Sequence, residues 1–205
     1  MASELELNRE LTYTTDPVTK TWRTFRPRPG ARIDGDSVWR RYAPFIGIPI
    51  SELVRVGPSR PASVIPNAVF ITYQQMHLGY PVGGYGYTLQ VKDGLLIDGL
   101  GKSMPGLPSQ LPNPISRERA LAIALARAAP KGPPYPWTTE PKRWKAPAQD
   151  LVLGATRFEP KGSDFRLVWE FSFSSTGLSG VDAPGSITID AETGAVIATT
   201  PGLIR

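Results

Sequence analysis

Hydrophobic and polar positions divide the chain into two blocks, each reading helix first and strands after. In the first block, Val38, Tyr42 and Phe45 fall roughly on one face of a short helix that Asp36 or Ser37 can cap. Pro44 interrupts that pattern, so the helix is predicted to stop near Tyr42. Leu53, Val54 and Val56 mark a strand around residues 52–56. Val69, Ile71 and Tyr73 then alternate with Phe70, Thr72 and Gln74, which is strand periodicity. Gly79-Tyr80-Pro81 reads as a turn. After it Tyr85, Tyr87, Leu89 and Val91 alternate with small or polar residues, as in an antiparallel strand with one wet face. Lys92-Asp93-Gly94 is a hairpin signal, because Asp-Gly supplies positive φ angles, and residues 95–100 form the return strand.

The second block opens on the clearest helix. Ser116 is its expected N-cap, Ile115 can staple over it, and residues 117–129 hold no breaker. Leu121, Leu125 and Ala128 form the expected core stripe, with alanines around it. Strands are predicted at 151–158, across Phe165, Leu167, Trp169, Phe171 and Phe173, and at 186–190 and 195–199. The last two are joined by the turn Ala191-Glu192-Thr193-Gly194. The pattern is α+β: two small modules, each a helix packed on an antiparallel sheet. It is not a βαβ alternation, so a Rossmann-type fold is excluded. Gly83-Gly84-Tyr85-Gly86, between two expected strands, has no following helix and is a poor phosphate cradle.

Composition sharpens this plan. The 22 prolines and 20 glycines are too many for a helical bundle. The prolines concentrate in an extended lead-in at 1–35, held down by Trp22 and Phe25, in a connection at 101–114, and in an insertion at 130–150. Formal charge is +5, and residues 1–60 carry ten Lys or Arg against seven Asp or Glu. The basic residues sit mostly in Arg23–Arg32 and Lys142–Lys145, with no helix gathering them on one face, so nucleic acid is not the expected partner. No run of 18 apolar residues is present, and the acidic, polar opening Met1–Glu6 does not read as a signal peptide.

The absence of cysteine removes thiolate metal sites, disulfide scaffolds and cysteine nucleophiles. The single histidine, His77, removes HExxH and multi-histidine metal sites, and no acidic residue near it in sequence suggests a triad. Asp190 and Glu192 fit a hairpin turn better than a calcium loop. No catalytic, cofactor or metal residue is expected. The chain reads as a non-enzyme.

Tyr73-Gln74-Gln75-Met76-His77-Leu78-Gly79-Tyr80-Pro81-Val82-Gly83-Gly84 resembles the "YQQ…G-P-V-x-G" signature of thermolysin-like metalloprotease propeptides. Glu52–Val56 resembles the lead-in of that FTP module, Tyr87–Gly94 its next strand and turn, and Gly99–Lys102 its closing stretch. Ile115–Ala122 resembles the helix opening of a PepSY module. Leu167–Phe171 resembles its central strand, and Ile189–Ile197 its "v-D-A-x-T-G-x-v-l" hairpin. The resemblance implies an FTP-like module at 36–102, a Pro-rich linker at 103–114, a PepSY-like module at 115–200 and a tail at 201–205. In the family a zinc protease domain follows, and one histidine cannot build its metal site.

The resemblance implies a secreted or cell-envelope folding assistant or inhibitor of a thermolysin-like metalloprotease. The alternative is a stand-alone envelope module that binds a peptide, a glycan or another protein. Candidate partner-binding residues are Gln74, Gln75, Tyr80, Tyr85, Tyr87, Trp137, Trp144, Thr199, Thr200 and Arg205. The two glutamines alternate sides on a strand, so one must face the interior and find partners for its amide. The tyrosines and tryptophans belong to surfaces of the kind enriched at interfaces if exposed, and to the core if not. Thr199, Thr200 and Arg205 lie where the family's chain leads towards the protease.

Overall fold

A computed structural model describes residues 4–110, 113–128, 149–155, 165–172 and 184–201. The chain divides into two compact units, Met1–Leu107 and Pro108–Arg205. Helices and antiparallel strands make up both, an α+β fold.

The first unit starts with helix α1 (Glu4–Glu10) and strands β1 (Leu11–Thr15) and β2 (Trp22–Pro27). The lead-in is thus a short helix and an antiparallel hairpin. Helix α2 (Val38–Ile46) follows, then β3 (Leu53–Arg55), β4 (Arg60–Pro61), β5 (Ala68–His77), β6 (Tyr80–Lys92) and β7 (Leu95–Lys102). Antiparallel pairing gives the order β1-β2-β7-β6-β5, with β3 and β4 both on the far side of β5. Trp22 and Phe25, the expected anchors, are fully buried.

Helix α2 lies on this sheet through Val38, Trp39, Tyr42 and Ile46. Trp39 meets Phe25, Tyr73 and Tyr87 with ring centroids 5.9, 5.4 and 5.0 Å away. Each such pair contributes about 0.5–1.5 kcal/mol beyond its buried area. Ser37, one of the two expected caps, is the N-cap residue of α2, though its side chain makes no capping bond. Asp34 instead accepts from Asp36 N at 3.1 Å, at the start of a 3-10 turn that leads into the helix. The helix also runs past Tyr42 to Ile46. It absorbs Pro44 by a local break at Tyr42 (φ −113°, ψ 17°) and stops at Gly47, which is left-handed at φ 72°.

Between β5 and β6 the turn is Leu78-Gly79, both at positive φ, with His77 opposite Tyr80. Tyr80-Pro81 therefore begins a strand instead of closing a turn. Gly83-Gly84 lies inside β6. There Gln75 alone opposes residues 82–85, a wide bulge flanked by the pairs Gln74–Gly86 and Met76–Pro81. Gly86 sits at φ 149°, and a Cβ there would fall 2.2 Å from the Tyr73 carbonyl oxygen. The Asp93-Gly94 hairpin forms as expected, with both residues at positive φ.

In the second unit α3 (Arg117–Ala128) precedes β8 (Gln149–Ala155), β9 (Phe165–Ser172), β10 (Pro184–Asp190) and β11 (Val196–Pro201), paired antiparallel in that order. Ser116 caps α3 as predicted, its Oγ accepting from Arg119 N at 3.3 Å. The buried stripe is Ala120 and Ala124, both fully enclosed, against Phe171, Ile187 and Ile189. Leu125, expected in the core stripe, is 44% exposed, and Leu121 only half-buried. Alanines face the sheet because a helix can approach it more closely there than leucines allow. The β10–β11 turn is held by Asp190, whose Oδ1 accepts from Glu192 N and Thr193 N at 3.0 and 2.9 Å.

Candidate functional site

The two glutamines of β5 sit on opposite sides of the strand, as alternation requires, and both bind backbone. Gln74 faces the bulge. Its Nε2 lies 2.8 Å from the carbonyl oxygens of Val82 and Tyr85 and 3.1 Å from that of Gln75. It supplies the donors that the interrupted ladder cannot. Gln75 is fully buried. Its Oε1 accepts from Met104 N at 2.8 Å, and its Nε2 donates to Met104 O at 2.9 Å. Nε2 also donates to Glu52 Oε2 at 3.1 Å, and the other oxygen of Glu52 lies 3.0 Å from His77 Nδ1. His77 is therefore one member of a relay, His77–Glu52–Gln75–Met104, that ends on the segment leaving the sheet.

The neighbouring residue of that segment is held just as firmly. Ser103 N donates to Thr21 Oγ1 at 3.2 Å, and Thr21 Oγ1 donates to Ser103 O at 3.1 Å. Ser103 Oγ donates to Ile46 O and lies 3.1 Å from the Tyr87 hydroxyl. That hydroxyl also reaches Trp22 O at 3.2 Å. Burial pushes the Tyr87 phenol above its ordinary pKa, so it stays a donor. The first residues of the Pro-rich connection are thus part of the interior of the first unit.

These placements correct two of the expected partner-facing residues. Gln75 and Tyr87 are interior, and their polar atoms are engaged within the first unit. Gln74 is half-buried with its amide turned into the bulge. Tyr85, inside the bulge, and Tyr80, paired with His77 beside the turn, are half-buried. Lys102 Nζ lies 4.8 Å over the Tyr85 ring. Thr199 and Thr200 are exposed on β11, in the other unit. Trp137, Trp144 and Arg205 lie outside the described residues.

Sequence reasoning missed a groove of about 300 Å³ in the first unit. Tyr13, Trp22 and Phe45 line it with Pro44, Pro105, Gly47, Lys20 and three threonines, Thr15, Thr19 and Thr21. Trp22 forms the floor, stacked on Phe45 at 6.0 Å and tilted against Tyr13 at 5.9 Å. The rim loop is fixed by Asp16, whose Oδ1 accepts from Val18 N at 3.0 Å and Thr19 N at 2.9 Å. Burial tends to raise the Asp16 pKa, but these N–H groups and the charge of Lys102 outweigh it and hold the carboxyl below its ordinary range. The available signals were Asp16-Pro17 opening a turn and the alternation of Leu11 and Tyr13, both absorbed into the extended lead-in.

Among the described residues no three potential metal-ligating side chains come together, and no helix is long and apolar enough to cross a membrane. Residues 114–200 match a family model described as "Peptidase propeptide and YPEB domain", PepSY. The match takes in α3 and β8–β11, and it bears out the PepSY part of the resemblance read from the sequence. No curated protein matches the chain.

Proposed function

We propose that this protein is a non-catalytic, propeptide-like binding partner of a secreted thermolysin-like metalloprotease, acting as its folding assistant, its inhibitor or both. The observation that carries this reading is the PepSY match over residues 114–200, on a helix-on-sheet unit whose Asp190 turn agrees with the motif seen in the sequence. The resemblance of residues 36–102 to an FTP module supports it. The "YQQ" residues work in the β5–β6 bulge as a frame, which suits a module whose purpose is to present a surface.

Mechanistically, a protein that binds only the folded protease stabilises it by RT ln(1+[L]/Kd), about 2.7 kcal/mol at a hundredfold excess over Kd. The same contact blocks the cleft for as long as it lasts. The exposed threonines of β11 and the residues after them are the segment we assign to the cleft side. A secreted or cell-envelope location belongs to this proposal.

Refolding of several denatured thermolysin-like proteases, with and without an equimolar amount of the chain, tests the reading. Faster recovery of activity, or dose-dependent inhibition of the native enzymes, is expected. Neither effect across the panel would sink it, and capture of a non-protease envelope partner instead would favour a stand-alone binding module.

A further inference from the structure

The groove beside Lys20 lies in the first unit, outside the residues matched to the PepSY family, and its chemistry is that of a binding slot. Three aromatic rings, two proline rings, three threonines and Gly47 line it, and Lys20 is the charged side chain among its lining residues. Lys20 holds a left-handed backbone at φ 60°, a conformation that glycine adopts freely and lysine does not. The turn keeps it there: Lys20 N donates to Asp16 O at 2.9 Å, and Asp16 N donates to Thr21 O at 2.8 Å. A strained backbone carrying a charge at the rim of a groove lined by rings and threonines points to use of that charge. The carboxylate of Asp16 does not answer it, being occupied with the N–H groups of its own turn. Tyr13 and Thr15 belong to β1, the edge strand among the described residues, so an extended segment can lie along this side of the sheet.

We propose that the groove is a docking slot for an extended peptide of a partner protein, one that carries proline next to an acidic residue. The pyrrolidine ring enters between Tyr13, Phe45 and Pro44, over Trp22, and the neighbouring carboxylate meets Lys20. Aromatic-lined grooves favour proline because its backbone is already extended and loses little freedom on binding. The charge on the rim selects acidic over basic neighbours. This slot does not depend on the protease reading, since neither the PepSY region nor β11 takes part.

The test uses the full chain labelled with 15N and three capped peptides: Gly-Ala-Pro-Pro-Asp-Gly, its Asp-to-Lys counterpart, and its counterpart with Ala-Ala for Pro-Pro. Saturable shifts at Tyr13, Thr15, Lys20 and Phe45 are expected with the first peptide, at least tenfold tighter than with either other. Lys20→Gly fits the left-handed backbone, so its melting temperature should equal or exceed that of the parent while affinity for the acidic peptide falls at least tenfold. Tyr13→Ala should weaken binding of that peptide by a similar factor. No shift at these residues, equal binding of all three peptides, or unchanged affinity in Lys20→Gly would each overturn the proposal. So would concentration-dependent shifts of the same residues without peptide, which would assign the slot to a second copy, or shifts with maltohexaose and none with peptide, which would assign it to a glycan.

Discussion

Replacing Gln75 with leucine keeps the volume of the side chain and deletes its amide. Gln75 is fully buried, and three hydrogen bonds depend on it: 2.8 Å from Met104 N, 2.9 Å to Met104 O and 3.1 Å to Glu52 Oε2. Leucine leaves both backbone groups of Met104 buried and unpaired, since Met104 itself is only 6% exposed. Each orphaned group costs about 1–3 kcal/mol, so a loss of about 2–6 kcal/mol is expected for the first unit. That is a large part of the about 5–15 kcal/mol that holds a typical domain. Urea unfolding followed by tryptophan fluorescence reads it, because Trp22 and Trp39 report the interior of the first unit. With an m-value of about 2 kcal/mol/M, the midpoint should fall by about 1–3 M. Gln74→Leu is the internal control. Its amide is half-buried beside a glycine-rich bulge that water can reach, so the cost should be about 1 kcal/mol. If Gln75→Leu costs no more than Gln74→Leu, the clamp on Met104 does not hold the connection, and the reasoning fails.

Gly86→Ala puts a methyl group 2.2 Å from the Tyr73 carbonyl at φ 149°, so the β5–β6 bulge cannot form; loss of dispersed NMR signals from the first unit is the expected outcome. Asp190 is 7% exposed. Burial tends to raise its pKa, but bonds from Thr193 and Glu192 and the charge of Arg166, 3.1 Å away, outweigh this and hold it low. A carboxyl with a depressed folded pKa adds stability that is present above its unfolded pKa of about 3.9 and is lost as pH falls through the folded value. Stability of the second unit should therefore drop in acid below pH about 4, and Asp190→Asn should flatten that slope in pH-dependent denaturation curves. Ser116→Ala removes the cap of α3 and should lower stability of the second unit by about 1 kcal/mol in the same urea assay, with Ser116→Gly much closer to the parent.

The elements that periodicity could read were those with one wet face. In β6 Tyr87, Leu89 and Val91 are buried while Thr88, Gln90 and Lys92 between them are part-exposed, and in β5 buried Ile71 sits beside exposed Thr72. The hairpin at Asp93-Gly94 was legible because its positive φ angles demand those residue types. Three things were not legible. The lead-in looked extended because α1 is seven residues long and β1 carries threonines at three of five positions, which gives no strong period of either kind. The stripe of α3 was misplaced because pattern reading weights leucine above alanine, while close approach of helix and sheet selects alanine at the contact. Nor could sequence show that Ser103 and Met104, read as the start of a linker, are held by partners 16 to 82 positions away.

That last point changes where a partner surface is to be sought. The residues carrying the propeptide resemblance, Gln74, Gln75 and Tyr87, direct their polar atoms at carbonyls and hydroxyls of their own unit. A signature of this kind specifies a bulge and an anchored exit, so it identifies a scaffold and says little about what the scaffold binds. Contact with a partner must be made by side chains that the frame leaves outside. In the first unit these include Tyr13, Phe45 and Lys20 around the groove, and in the second the threonines of β11. The two sets differ in chemistry: one pairs rings with a cation, the other is an uncharged strand. If the two sets take separate ligands, single substitutions in one should leave binding at the other within experimental error, as additivity requires of independent sites. Coupling between Lys20→Gly and Thr199→Ala in a double-mutant cycle would instead mean that one ligand spans both, a result that the present assignment of separate roles does not survive.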